Sequence, residues 1–226
     1  MDSVFHTIKI IYFIVLIFYL HVSSQLCLIP ISVPDHSLTD YLQLTPIGTF
    51  AAHRPERPGI PAHLHTGIDI KRPTMNYLDE PIHPIASGQV ISIRNDGPFA
   101  QIIIEHDFPE IGRAWSVYEH IAGISCSLGN TVNPLTPIAR FMNRPELEQY
   151  GYQFDHLHLE ILKQPPKPVL PSPELPDRLF STYSLICYTE KDLSYYYINP
   201  LQFFNHHASF SSTTVDGNVY FPDNRD

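Results

Sequence analysis

His156-Leu157-His158-Leu159-Glu160-Ile161 alternates apolar residues with residues able to bind a metal or move a proton. Side chains at i and i+2 of a strand share a face. The run therefore reads as a β-strand holding His156 and His158 over one cleft, with Leu157 and Leu159 packed into the core behind them. One histidine is placed to bind a metal and its neighbour to act on water held there. Glu160 is expected to point away from both and to serve the fold.

Working outward, Ile82 to Ile93, Gln101 to Glu105 and Ala114 to His120 are further short runs rich in β-branched or aromatic residues. Turn signals such as Asn95-Asp96-Gly97-Pro98 and Leu128-Gly129-Asn130 separate them, and no strong amphipathic helical pattern is present, so the expected fold class is all-β and antiparallel. Pro165 to Pro176 contains six prolines among polar and small residues and reads as an extended loop of polyproline character. Leu179 to Ile198 returns to apolar and tyrosine-rich sequence, which is expected to fold back onto the domain. There are no internal repeats.

The amino terminus has a weakly basic start, an apolar core from Ile10 to Leu20, and small residues Val22 and Ser24. This reads as a signal peptide cleaved after Ser24, because a membrane span takes roughly 20 apolar residues. The expected location is secreted or periplasmic, with an uncleaved membrane anchor as the alternative and no stable membrane insertion after cleavage. About 200 residues would remain, enough for one domain. The formal charge of -9 argues against nucleic acid or anionic membranes as electrostatically steered partners. Cys27, Cys126 and Cys187 would meet an oxidising compartment, where one disulfide and one leftover thiol can form and all three pairings stay open. None has zinc-ribbon spacing. Oligomeric state is not legible.

His65-Thr66-Gly67-Ile68-Asp69 offers a second cluster, with His65 and Asp69 on one face of an extended chain and Gly67 between them where backbones can approach closely. His65, Asp69 and His158 would make a metal site of net charge +1 with a fourth position left for water, the pattern hydrolytic zinc requires. Zinc in such a site lowers the pKa of its water to roughly 7. A lone His-x-His is more often two surface histidines; the conjunction with Tyr118-Glu119-His120 is what favours function. His63-Leu64-His65 repeats the spacing, and His63 is expected at the rim. His53, His83 and His106 read as turn or surface residues, and nothing brings His206 or His207 to the cleft.

Together, His65-Thr66-Gly67-Ile68-Asp69-Ile70, Ser87-Gly88-Gln89-Val90-Ile91, Tyr118-Glu119-His120-Ile121 and His156 to Ile161 resemble, in order and spacing, the lysostaphin and LytM-type zinc metallopeptidases. Asn199 to Phe204 is similar to the closing motif of that family. The resemblance covers roughly Leu44 to Phe204. It implies a lysostaphin-like (duplicated hybrid motif) antiparallel β-sheet or sandwich with a proline-rich insertion, one zinc ion per chain, and hydrolysis of peptide bonds in peptidoglycan cross-links or stem peptides. Carried over residue by residue, His65, Asp69 and His158 match the zinc ligands, and His120 and His156 the two catalytic histidines. The implied organisation is a signal peptide (1–24), an N-terminal extension (25–43), the metallopeptidase domain (44–205, with an insertion at 162–198) and a flexible tail (206–226). No separate wall-binding segment is read, so the chain is expected to act as a stand-alone hydrolase.

Three departures from the family pattern stand out: Tyr77 to Pro81, Asn133 to Thr136, and the insertion between Ile161 and Asn199, which could line or cover the groove. Two other readings compete. One is a catalytically silent domain of the same fold that binds and activates a partner wall hydrolase; such domains lack ligand positions, and here all are filled. The other is a secreted protein that sequesters zinc, which would require a saturated coordination shell. No Gly-x-Ser-x-Gly or cysteine context supports a nucleophile-based hydrolase.

Overall fold

The chain of 226 residues was analysed as a computed structural model, which describes residues 25–36 and 39–211, the side chains of 208–211 excepted. The signal-peptide reading and residues 212–226 of the tail lie outside the described residues. In chain order the strands are β1 (His53–Arg54), β2 (His63–Leu64), β3 (Ile68–Lys71), β4 (Pro81–Ile82), β5 (Gly88–Arg94), β6 (Gln101–Phe108) and β7 (Gly112–Glu119). They continue as β8 (Ile121–Ala122), β9 (Thr131–Val132), β10 (Ala139–Phe141), β11 (His156–Leu162), β12 (Lys167–Pro168), β13 (Phe180–Ser181) and β14 (Tyr197–Ile198).

Every pairing between these strands is antiparallel. The main sheet runs β14-β11-β7-β6-β5-β9, with β3 also on β11, and a smaller sheet runs β4-β10-β8. The two pack together through Ile82, Ile121, Ala139 and Phe141 on one side and Ile102, Ile104, Leu157 and Leu159 on the other. The fold is thus antiparallel β, as the alternating runs predict.

Alternation decides which residue meets which layer. Along β11, Leu157, Leu159 and Ile161 enter the main core, whereas Leu162 joins a second cluster on the opposite face with Ile103, Trp115, Val117, Cys187, Leu193 and Tyr197. The insertion at 162–198 supplies the last three of these. It also donates β14 to the edge of β11, Ile198 opposite Ile161 and Tyr197 opposite Leu162. Its proline-rich part is held by a short hairpin, β12 on β13, docked against Ser92, whose Oγ accepts hydrogen bonds from Leu179 N and Phe180 N.

Several boundaries differ from the sequence reading. The run Ile82 to Ile93 is broken after Ile82 and resumes as β5 at Gly88. Cys27, Ile29 and Ile31 are part of the main core and Ile31 bridges to Ile82, so the segment 25–36 belongs to the packed unit. A helix, Pro200–Ser211, continues past residue 205 and buries Phe203, Phe204 and His207. Two shorter helices, Arg144–Tyr150 and Glu190–Tyr196, are set by capping boxes at Asn143 with Glu146 and Thr189 with Asp192. These signals are local and carry no long amphipathic pattern. No helix among the described residues is long and apolar enough to cross a membrane. The three cysteines are free thiols; Cys27 is buried in the main core and Cys187 in the second cluster, on the other face of the sheet.

Candidate active site

β11 lies between β3 and β7, and its register does the assembling. His158 is directly opposite Asp69 on β3 and Glu119 on β7, so the residue after Glu119, His120, arrives beside it. The close approach of the chain before β3 to β11 depends on Gly67, since a Cβ there would stand 2.2 Å from the Leu159 carbonyl oxygen. His65 is fixed by its backbone, its N–H donating to Ala52 O and its carbonyl accepting from Ala51 N.

Three ligand atoms converge. His65 Nε2 is 3.0 Å from Asp69 Oδ1, His158 Nδ1 is 2.9 Å from the same oxygen, and the two nitrogens are 3.0 Å apart. The other nitrogen of each ring has its own acceptor: His65 Nδ1 donates to Thr49 O at 2.9 Å and His158 Nε2 to Glu160 Oε1 at 3.1 Å. Those bonds place the N–H on the outer nitrogens, so the neutral rings turn two lone pairs and a carboxylate oxygen toward one point. Such a cluster repels itself unless a cation sits in it. Ligands about 2.0–2.1 Å from a tetrahedral zinc would be ~3.3 Å from one another, close to the spacing found, and outer acceptors of this kind are the usual companions of metal-binding histidines.

Charge follows the same logic. Burial raises the Asp69 carboxyl, but with no metal bound the hydrogen bond from protonated His158, with the nearby His65 ring adding to it, outweighs burial and holds the group well below the usual carboxylate range. Burial lowers His158, yet Asp69 and Glu160 together lift it to about 10. With no metal bound, a proton on His158 therefore serves as the cation. Asp69 Oδ2, turned from the cluster, pairs with Arg54 Nη2 at 2.6 Å.

His120 and His156 flank this cluster, their ring centroids 4.8 Å apart, and His156 Nε2 is 3.6 Å from Asp69 Oδ1. His120 has φ of 64°, a left-handed backbone rare for a side chain of its size and concentrated at functional sites. Its Nδ1 donates to Pro98 O at 2.6 Å, which leaves Nε2 as the acceptor, and Phe154 packs against the ring. Burial lowers His120 despite the opposing charge of Glu119, and burial pushes His156 down to about 3. Both are neutral near pH 7.

All five residues line one open cleft of about 1120 Å³. The insertion forms part of its wall through Lys167, Arg178 and Ser181 to Ile186. Residues 25–36 pack away from it, with Leu28 N donating to Ile85 O and His83 N to Pro30 O.

Residues 63–171 match the model of peptidase family M23. That stretch, 109 of the 226 residues, marks a domain similar to peptidase family M23. No curated protein matches it. Among solved structures, this chain is similar to lysostaphin from Staphylococcus simulans, described as an antimicrobial peptidase: 16% identity over 88% of this chain and 62% of that one, TM-score 0.46. It is similar also to the SpoIIIAH–SpoIIQ complex (16% identity, 76% of this chain and 99% of that chain, TM-score 0.42). A third likeness is to a zinc containing peptidase from Vibrio cholerae (22% identity, 61% of this chain and 37% of that chain, TM-score 0.41). The chain thus spans less than two thirds of the lysostaphin and Vibrio chains.

The structure departs from the sequence reading of the candidate site at several places. Glu160 does not point away from the histidines: positions 156, 158 and 160 share a face, and Glu160 is buried with Oε1 accepting from both His158 Nε2 and Thr66 Oγ1. His83 and His106 are buried rather than on the surface, His106 held between Ser87 O and Ser116 Oγ. His63 lines the cleft, with Nδ1 donating to Pro61 O. No sequence pattern announces Arg54, which sits on a two-residue strand.

Proposed function

We propose that this protein is a zinc-dependent metalloendopeptidase acting on peptides of bacterial peptidoglycan, in cross-links or stem peptides. The observation that carries the zinc is the convergence of the His65, Asp69 and His158 ligand atoms with every outer nitrogen already engaged. When bound, zinc would polarise a peptide carbonyl and acidify a water. The remaining chemistry belongs to the chain. His120, neutral and with Nε2 free to accept, takes a proton from the attacking water and passes it to the leaving amine. His156, on the same strand face as His158, donates a hydrogen bond to the oxygen on which charge develops. Arg54 neutralises the outer oxygen of Asp69 and keeps the inner one turned to the metal. The wall-peptide substrate rests on the resemblance of the four motifs to the lysostaphin and LytM-type enzymes.

The test is zinc content of the purified protein together with release of new amines from purified peptidoglycan, with and without a chelator. One zinc per chain and chelator-sensitive release support the reading. Bound zinc with no release from several wall types favours the silent, partner-activating domain, and a protein that binds no zinc overturns the site.

A further inference from the structure

The protein is strongly acidic, with a formal charge of -9, yet its cleft is not. Three carboxylates line it, and each is already engaged: Asp69 with His65, His158 and Arg54, Glu119 with Gln101 Nε2 at 2.6 Å, and Asp155 with Arg72 Nε at 2.6 Å. Five cations line it. Arg54 and Arg94 are paired with Asp69 and Asp96; Arg57, Lys167 and Arg178 have no carboxylate partner among the described residues. Arginines match Asp69 and Asp155, whereas the partner of Glu119 is a neutral amide, so three unpaired cations face one unpaired carboxylate and the cleft has an excess of positive charge.

Arg178 is the most constrained of these. Its two neighbours are tied to β5, Asp177 O accepting from Ile93 N at 2.9 Å and Leu179 N donating to Ser92 Oγ at 3.0 Å. Its Nε is buried and has no hydrogen-bond partner. A guanidinium donor removed from water without an acceptor is costly, and its planar fork matches a carboxylate better than any other group a peptide carries. Lys167 comes from the same hairpin, its Nζ held over the Tyr183 ring at 6.0 Å from the centroid.

We infer that the insertion wall is a carboxylate subsite, in which Arg178, supported by Lys167, selects peptide substrates bearing a free carboxylate near the bond to be cut. This rests on the peptidase reading and adds to it the substrate class. The subsite acts at short range, since the acidic body of the protein does not attract anions from a distance. It lies in the segment by which this chain departs from the family pattern, so it distinguishes this protein from relatives that share only the zinc site.

The experiment uses wall-derived stem peptides and the same peptides with their carboxylates amidated. With zinc-loaded protein, kcat/KM is expected to be at least tenfold higher for the acidic pool, chiefly through KM. Arg178→Gln should remove the preference while leaving the rate on amidated peptides and the zinc content unchanged, and Arg178→Lys should restore part of it. In parallel, anisotropy of labelled peptides on the His120→Ala protein reads binding without turnover, and Arg178→Gln in that background should weaken the acidic pool at least tenfold. If neither pool is cut but this binding difference persists, the subsite stands and the peptidase reading falls. Equal binding of the two pools, an unchanged preference in Arg178→Gln, or displacement by inorganic phosphate as effective as by acidic peptide would overturn the subsite.

Discussion

Glu160 Oε1 accepts a hydrogen bond from His158 Nε2 at 3.1 Å while Thr66 Oγ1 donates to the same oxygen from the chain just before β3. The carboxylate so fixes the tautomer and the tilt of a ring that faces the proposed metal position. Losing such an outer partner typically costs 10–100-fold in metal affinity. Glu160→Ala is therefore expected to weaken zinc binding by about that factor while the protein stays folded. Competition with a calibrated chelator measures the first and far-ultraviolet circular dichroism the second. Unaltered zinc affinity would return Glu160 to a purely structural role.

Asp69 and His120 should separate metal binding from proton transfer. Asp69→Ala removes the oxygen that both imidazoles approach, and the protein should emerge without zinc. His120→Ala touches none of the three ligand atoms; zinc should remain, with hydrolysis reduced by about 10²–10⁴-fold. Elemental analysis and amine release on each variant read the two effects independently, and an active His120→Ala protein would refute the proton-transfer role.

The pH dependence of stability should carry the mark of His106. This residue is fully enclosed, with Nδ1 donating to Ser87 O and Nε2 accepting from Ser116 Oγ, and burial pushes it down to about 4. An unfolded histidine titrates near ~6.5. Between these values the unfolded chain holds a proton that the folded one does not, so stability is complete above the unfolded value and declines as pH falls toward the folded one. The loss is about 3 kcal/mol. Urea midpoints of the chelated protein at neutral and mildly acid pH, compared with His106→Gln, should show a flatter dependence in the variant.

Gly67→Ala should be among the most damaging single changes. The new methyl would stand 2.2 Å from Leu159 O, so the chain entering β3 must back away from β11. A loss of about 3 kcal/mol or more is expected from such overpacking against backbone, and zinc should be lost with it because His65 and Asp69 flank the glycine. Thermal unfolding and zinc content check this together; a variant as stable as the parent would mean that the two strands can separate without cost.

How much of this could be read beforehand depended on whether the signal was periodic. Of the five residues of the candidate site, His156 and His158 are announced by the alternation of β11, whereas His65, Asp69 and His120 are announced only by short motifs, and the register of β11 against β3 and β7 brings all five together. The same period of two that pairs His156 with His158 also puts Glu160 on their face, so its expected position away from them contradicts the alternation of the strand itself. The helix at Glu190–Tyr196 is announced by Thr189 and Asp192, a local cap that a search for long amphipathic patterns passes over. Arg54 and Arg178 were out of reach. Their positions follow from a two-residue pairing and from the hydroxyl of Ser92, contacts between distant segments that no single stretch encodes.

The insertion has two sides that answer to different demands. Its inner residues Cys187, Leu193 and Tyr197 cover the apolar half of the face whose other half carries His156 and His158, while its outer residues look into the cleft. Outward side chains can therefore be exchanged without disturbing the core, but the loop cannot be shortened without uncovering Leu162 and Trp115. Divergence in this lineage should be recorded as substitutions at positions such as 167 and 178 over a span of nearly constant length.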